Sequence, residues 1–259
     1  RRHFPNQINM PDLDFLTRRP FAHRGLHNAA RGIYENSRAA FIAAIDHGYG
    51  IELDVQMSRD GQAVVFHDDT LERLTDHTGP VRALDATTLA DITLGTSSDT
   101  IEPLGDILAL IAGRVPVLIE IKDQSMTLAQ TDGILERSVA HAVAQYDGPA
   151  AVMSFNPHAM HHVRDAEPSV ICGLTTCDFS KQDWPTVSAD RRHHLAAILD
   201  YHALNACFVS HDVNDLANPA LVPLREHGVP ILCWTVRSQQ CAVSVKSMMD
   251  NITFENFLA

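Results

Sequence analysis

The chain has 259 residues, of which 45% are hydrophobic and 20% are charged, a composition that suits one α/β domain with a sizeable core. Its formal net charge of −12 at pH 7 argues against the basic surface that nucleic-acid-binding proteins use. The sequence contains no apolar run of the ~18 residues that a membrane-spanning helix needs. We therefore expect neither a nucleic-acid partner nor stable insertion into a membrane.

Strand-like and helix-like runs alternate from residue 21 onward, as in a parallel sheet built from βα units. Residues 1–19 are polar and irregular, and we expect part of this segment to cover one end of the sheet. The predicted strands are 21–24, 51–56, 115–121, 150–154, 169–174, 206–209, 230–235 and 251–254. The predicted helices are 36–47, 103–112, 127–145, one starting at Pro157, 190–200, 218–227 and 238–249. Eight strands in this order predict a (β/α)8 TIM barrel that forms a single domain over residues 1–259.

Residues 69–102 interrupt the alternation after the second strand. They contain scattered leucines and a Gly-Thr-Ser-Ser-Asp loop at 95–99, without the periodicity of a long helix or strand. We interpret this stretch as a small insertion that forms a lid at the rim of the barrel, rather than as a second folding unit.

The most informative stretch is 51–69, which reads IELDVQMSRDGQAVVFHDD. Glu52 and Asp54 lie two residues apart in a predicted strand, so their carboxylates share one face of it. Two like charges this close repel each other unless a cation or a proton lies between them. The Asp-Gly pair at 60–61 then predicts a tight turn, and the returning strand brings His67 back toward the two carboxylates.

Other polar side chains stand at the ends of predicted strands, where a barrel places its catalytic groups. His23 and Arg24 end the first strand, and Glu120 and Lys122 share one face of the strand that starts near residue 115. Glu35 and Asn36 open the first helical pattern. A barrel fold would therefore bring two histidines, three acids and two cations to one rim.

These segments together resemble the glycerophosphodiester phosphodiesterase family, a group of phospholipase C-like phosphodiesterase barrels. The matching motifs are HRG at 23–25, EN at 35–36, the E-x-D of IELDV at 51–55, VVFHD at 64–68 and IEIK at 119–122, with weaker matches in SFNP at 154–157 and CWTV at 233–236. They occur in the family's order from residue 21 to about residue 236. Each motif alone is weak, but five in order are specific, and family members carry a small insertion domain where residues 69–102 stand.

The resemblance implies metal-dependent hydrolysis of a small-molecule glycerophosphodiester to glycerol 3-phosphate and an alcohol. It assigns Glu52, Asp54 and Glu120 to a divalent metal, Mg²⁺ or Ca²⁺, both of which prefer oxygen ligands. It assigns His23 and His67 to general acid and base catalysis and Arg24 and Lys122 to the phosphate oxygens. In the same way, Glu35 and Asn36 would support substrate binding, with Glu35 orienting His23 or Arg24, and Phe155 and Trp234 would line the glycerol site.

One departure from the family lies in the last strand, which in the family reads roughly ITDNP before a final helix. Here the chain reads ITFENFLA at 252–259, so that Phe254 or Glu255 replaces the usual aspartate. This substitution leaves the role of the last strand open.

Two other functions remain as alternatives. A related barrel acting on intact phospholipid, like a sphingomyelinase D or a phosphoinositide phospholipase, would need an apolar rim, and residues 69–102 are mostly polar despite Leu71, Leu74, Leu84 and Leu89. A barrel that binds phospho-ligands without turnover would not need the complete set of two histidines and three acids.

Cysteine usage indicates the compartment. The chain has five cysteines, an odd number without C-x-x-C spacing, which favours buried free thiols in a reducing compartment. We therefore expect a cytoplasmic location. Because the sequence begins at Arg1 rather than methionine, a removed N-terminal segment and a secretion signal remain the alternative.

Overall fold

Eight parallel strands close into a barrel in the computed structural model, which describes residues 12–259. The strands are β1 Phe21–Ala22, β2 Gly50–Met57, β4 Val117–Ile121, β5 Ala150–Ser154, β6 Ile171–Thr176, β7 Phe208–Asp212, β8 Ile231–Val236 and β9 Asn251–Phe254, with β3 Ala63–Val65 antiparallel to β2. The sheet closes because β1 pairs with both β2 and β9. The predicted TIM barrel and the predicted hairpin after β2 are thus confirmed.

Most of the helices surround the strands on the outside of the barrel. The helices are α1 Phe15–Arg18, α2 Arg38–Asp46, α3 Ala86–Leu89, α4 Leu104–Ile111, α5 Ile134–Ala144, α6 Pro157–Ala166, α7 Ala189–Ala196, α8 Asp200–Leu204, α9 Leu221–Glu226 and α10 Gln239–Val245, with short 3₁₀ helices at Ala29–Arg31, Val81–Ala83 and Val213–Asp215. Of these, α1 lies at the N-terminal end of the barrel and α3 lies within residues 69–102. None of the helices within residues 12–259 is long and apolar enough to cross a membrane.

Alternation along each strand sorts its side chains between two apolar layers. Leu53 and Val55 of β2 pack outward with residues of the helices, such as Ile107. Inside the barrel a smaller cluster holds Leu118 and Phe208. Residues that alternate with Leu53 and Val55 therefore point into the barrel, which is where the acids of β2 lie.

The N-terminal end of the barrel is closed by residues that precede β1. Leu16 of α1 is fully buried against the interior cluster, and the Asn251 side-chain amide donates hydrogen bonds to the carbonyls of Leu16 and Arg19, each at 2.7 Å. The prediction that the N-terminal segment covers one end of the sheet holds for residues 12–19, and its remainder, residues 1–11, lies outside the described residues.

Most of the predicted helices have different bounds in the structure, and α10, for example, ends at Val245 rather than at residue 249. Two of the differences have a local explanation. The helix predicted over 127–145 begins only at Ile134, because Asp123 accepts hydrogen bonds from Ser125 and from the backbone N–H of Leu128 and thereby holds this stretch as a loop. The helix predicted over 190–200 ends at Ala196, and a second short helix follows after Ile198, whose φ is +52°.

Residues 69–102 pack as a cap with an apolar cluster of its own. Leu71, Leu89 and Leu94 are fully buried there against Val64 and Phe66 of the hairpin. Arg38 of α2 forms an ion pair with Glu102 at the end of the segment. The segment thus rests on the barrel through the hairpin and α2, and its role as a lid stays a prediction.

Candidate active site

Three carboxylates meet at the C-terminal end of the barrel. Glu52 and Asp54 point inward from β2, and Glu120 comes from β4, whose register sets Glu120 directly beside Asp54. All three are buried, and one oxygen of each lies within 4.8 Å of the others. Glu52 and Asp54 thus share one face of β2, as predicted, and Glu120 adds a third carboxylate from the neighbouring strand β4.

Lys122 neutralises only part of this cluster. Its Nζ lies 2.7 Å from Asp54 Oδ1 and 2.5 Å from Glu120 Oε1. Burial alone would raise the pKa of Asp54, but the charge of Lys122 keeps it below its usual range. Burial, followed by the charges of Asp54 and Glu120, raises the pKa of Glu52 well above its ordinary value. Arg24 supplies a second cation, with its Nε 3.3 Å from Asp54 Oδ2, so that two cations face three carboxylates. The hard oxygen donors of the cluster fit Mg²⁺ or Ca²⁺.

His23 is fixed by a residue to which we assigned no function from the sequence. Its Nδ1 lies 2.7 Å from Glu255 Oε2, just beyond β9, while its Nε2 is directed toward Glu52, 3.9 Å from Oε2. Arg237 donates from Nε to the other oxygen of Glu255 at 2.7 Å. Burial lowers the pKa of His23, although the hydrogen bond with Glu255 opposes this shift. The residue that departs from the family pattern therefore contacts one of the two predicted catalytic histidines.

His67 has a similar arrangement on the hairpin. Its Nδ1 lies 2.7 Å from Asp68 Oδ1, and Arg73 donates to both oxygens of Asp68 at 2.6 and 2.9 Å. The side chain of His67 is 30% exposed, more than twice the 13% of His23. Each histidine therefore has one nitrogen held by a carboxylate and Nε2 left for a ligand.

Arg24, Glu35 and Asn36 support the carboxylate cluster. The backbone N–H of Arg24 donates to Glu52 at 2.9 Å, and its Nη1 donates to Glu35 at 2.7 Å. Asn36 is buried and donates from Nδ2 to Asp54 at 2.9 Å. Of the two targets expected for Glu35, the structure shows Arg24. The predicted substrate contacts of Glu35 and Asn36 stay predictions.

These side chains surround a small cavity of about 140 Å³. Phe155 and Trp234 line it together with both histidines, the three acids, Arg24 and Lys122, and their predicted role at the glycerol group stays a prediction. Trp234 is held in place by a hydrogen bond from its Nε1 to the Ser210 carbonyl at 3.1 Å. Nine of the eleven predicted site residues therefore line one cavity, and Glu35 and Asn36 lie behind it.

Comparisons with known proteins agree with this architecture. The family model for the glycerophosphoryl diester phosphodiesterase family matches residues 23–254. A glycerophosphodiester phosphodiesterase of Caldanaerobacter subterraneus subsp. tengcongensis is 27% identical over 247 residues, which cover 89% of this chain and 91% of the relative. A second, from Bacillus altitudinis, is 30% identical over 176 residues, covering 62% of this chain and 68% of the relative.

Solved structures show the same fold. An Oleispira antarctica phosphodiesterase in complex with the product sn-glycerol-3-phosphate superimposes with a TM-score of 0.74 at 20% identity and covers 93% of each chain. A glycerophosphodiester phosphodiesterase from Agrobacterium tumefaciens gives a TM-score of 0.66 at 22% identity, covering 91% of this chain and 94% of the other.

Proposed function

The chain belongs to the glycerophosphoryl diester phosphodiesterase family, and we propose that its site hydrolyses glycerophosphodiesters to glycerol 3-phosphate and an alcohol by metal-assisted acid–base catalysis. The observation that carries the proposal is the single cavity in which three buried carboxylates stand beside two histidines, each held at Nδ1 by a further carboxylate. This arrangement provides both a cation site and two proton-transfer groups.

Glu52, Asp54 and Glu120 would hold a divalent metal. When bound, such an ion polarises a phosphoryl oxygen and offsets the negative charge of the diester. Glu52 is the acid that most needs this partner, because Lys122 contacts only Asp54 and Glu120. Arg24 and Lys122 also line the cavity, where they attract the phosphate and keep the carboxylates in place.

His23 and His67 would transfer the protons. A carboxylate that accepts the Nδ1–H fixes the tautomer and leaves Nε2 to take a proton from the nucleophile or to give one to the leaving oxygen. A positioned group of this kind typically contributes ~10²–10⁴ in rate. Either histidine can serve as the acid, and the nucleophile is either water or the neighbouring glycerol hydroxyl of the substrate.

The test is release of glycerol 3-phosphate from glycerophosphocholine and glycerophosphoglycerol, measured before and after treatment with EDTA. We expect release by the untreated enzyme, its loss after chelation and its recovery when Mg²⁺ or Ca²⁺ is added back. Release that persists unchanged after complete metal removal would contradict the metal-assisted mechanism, and no release from any glycerophosphodiester would contradict the proposed reaction.

A further inference from the structure

A second cavity opens beside the first and shares four of its residues. Its volume is about 420 Å³, within the range of small-ligand sites, and His67, Glu120, Lys122 and Phe155 line both cavities. Because His67 stands at the boundary, a diester whose phosphate occupies the smaller cavity can extend one of its two ester arms into the larger one.

Aromatic rings form one wall of this second cavity. Phe155 and Trp184 line it with ring centroids 5.0 Å apart and planes inclined by 52°. Phe179 lies against both, at 6.1 Å from Phe155 and 5.2 Å from Trp184. Rings at such angles can present faces to one ligand group from two directions, which is the geometry that stabilises a cation through π contacts.

The wall is held in place before any ligand arrives. The loop after β6 carries Trp184, and Thr186 on that loop donates from Oγ1 to the Met126 carbonyl at 2.8 Å. Arg191 donates from Nε to the Leu128 carbonyl at 3.2 Å. These hydrogen bonds join the segments on either side of the cavity to each other. Binding of a ligand therefore requires little further ordering of these segments.

Charge in the second cavity is strongly negative. Five carboxylates line it (Asp68, Asp69, Glu120, Asp123 and Asp183), against one ammonium group, that of Lys122. Lys122 is already engaged by Asp54 and Glu120. Arg73 lies outside the lining and forms ion pairs with Asp68 and with Glu35, of which only Asp68 lines this cavity. An anionic group would be repelled here and a cationic group attracted.

Hydrogen bonding discriminates between kinds of cation. Three of the five carboxylates are already engaged, since Asp123 accepts hydrogen bonds from Ser125, Leu128 and Asn156, Asp68 from His67 and Arg73 and Glu120 from Lys122. This leaves Asp69 and one oxygen of Asp183, whose other oxygen accepts from Ser180, as the less engaged acceptors of the lining. A primary ammonium needs free acceptors for its three N–H groups, whereas a methylated ammonium needs only negative potential and aromatic faces.

We propose that the second cavity is the leaving-group subsite and that it binds a quaternary ammonium group, which makes choline-type glycerophosphodiesters the favoured substrates. The inference rests on the proposed function, since the subsite matters only if the neighbouring cavity binds a phosphodiester. A neutral glycerol arm gains nothing from this wall and would lie in the smaller cavity.

The decisive experiment compares glycerophosphocholine with the glycerol 3-phosphate ester of 3,3-dimethylbutanol, which has the shape of the choline ester but lacks its charge. We expect the wild type to favour the choline ester by about tenfold in kcat/KM. In Trp184→Ala this ratio should fall toward one, and Trp184→Phe, which keeps a π face, should lie between the two. A wild-type ratio near one would overturn the subsite while leaving the proposed hydrolysis intact.

Calorimetric titration with choline tests the subsite without turnover. Saturable binding that Trp184→Ala weakens about tenfold supports it, as does weaker binding in Asp183→Asn but not in the matched variant Asp165→Asn, whose residue is exposed on α6 away from the cavity. Absence of choline binding to the wild type would overturn it. Failure to hydrolyse either ester despite choline binding would contradict the proposed function instead.

Discussion

A carboxylate holds each of the two histidines at the site, and both pairs involve a residue close to a strand end. Glu255 holds His23 and Asp68 holds His67, each at 2.7 Å. Asp68 adjoins its histidine in the sequence, whereas Glu255 lies 232 positions away from His23. The second pairing exists only because the barrel closes β9 against β1, so no local pattern could predict it.

Glu255 is expected to be a positioning residue. Glu255→Ala should lower kcat roughly 10- to 100-fold, part of the ~10²–10⁴ that a positioned proton-transfer group provides, with little change in KM. Glu255→Gln keeps an acceptor for the Nδ1–H and should recover part of the loss. Steady-state kinetics measure this, with Glu226→Ala on the exposed end of α9 as the control. A wild-type kcat in Glu255→Ala would show that His23 needs no such support.

Glu120 is expected to be a metal ligand. Glu120→Gln should weaken binding of Mg²⁺ or Ca²⁺ at least about tenfold, since it removes one charged oxygen donor of three. Glu136→Gln is the matched control, because Glu136 is also a buried glutamate but accepts its hydrogen bond from Thr131, outside the cluster. Equal metal affinities in a calorimetric titration of both variants would remove Glu120 from the ligand set.

At the scale of elements, the segment over residues 69–102 is joined to the site by Arg73. This side chain donates to Glu35 as well as to Asp68. Burial would raise the pKa of both acids, but hydrogen bonds with His67 and Arg73 outweigh it at Asp68, and the hydrogen bond with Arg73 and the charge of Arg24 outweigh it at Glu35, so the pKa of each lies below its ordinary value. The β2–β3 hairpin was predictable from its Asp-Gly turn, whereas this segment lacks periodicity and its packing depends on contacts distant in sequence.

Arg73→Ala should therefore destabilise the protein in a pH-dependent way. Acids with a lowered pKa in the folded state add stability above their unfolded pKa of about 4, and this contribution is lost as the pH falls. The variant should be less stable than the wild type by about 1 kcal/mol at pH 7, a small value because Arg73 is nearly half exposed. In urea unfolding this difference should shrink toward pH 3, and a difference that is constant with pH would contradict the account.

At the scale of the whole molecule, alternation of strand and helix was sufficient to predict the barrel. The family motifs, which stand at the ends of predicted strands, were sufficient to predict most of the residues that line the smaller cavity. The closure at the opposite end was less predictable, because it combines the burial of Leu16 with hydrogen bonds from one side chain that is distant in sequence. Asn251 is buried and donates hydrogen bonds to two carbonyls of the N-terminal segment.

Asn251→Ala would leave these carbonyls without their partner, and we expect the free energy of unfolding in urea to fall by about 1–3 kcal/mol. Wild-type stability would show that α1 is held by apolar packing alone.

The surface also bears on the alternative of a lipid-acting barrel. The large hydrophobic side chains exposed within residues 12–259 are Ile42, Met126, Ile134, Leu199, Val222, Val243 and Leu258, and of these only Met126 lines either of the two cavities. The rim of the site is instead rich in carboxylates. An acidic rim with one exposed apolar side chain favours a water-soluble diester over a lipid held in an anionic membrane.

The most direct test of the central claim is glycerol 3-phosphate release from glycerophosphocholine by the wild type and by His67→Ala. We expect release by the wild type and a rate lower by a factor of ~10²–10⁴ in the variant, with an unchanged circular dichroism spectrum. Equal rates in the two proteins would remove His67 from the chemistry, and no release by the wild type would contradict the proposed hydrolysis of this substrate.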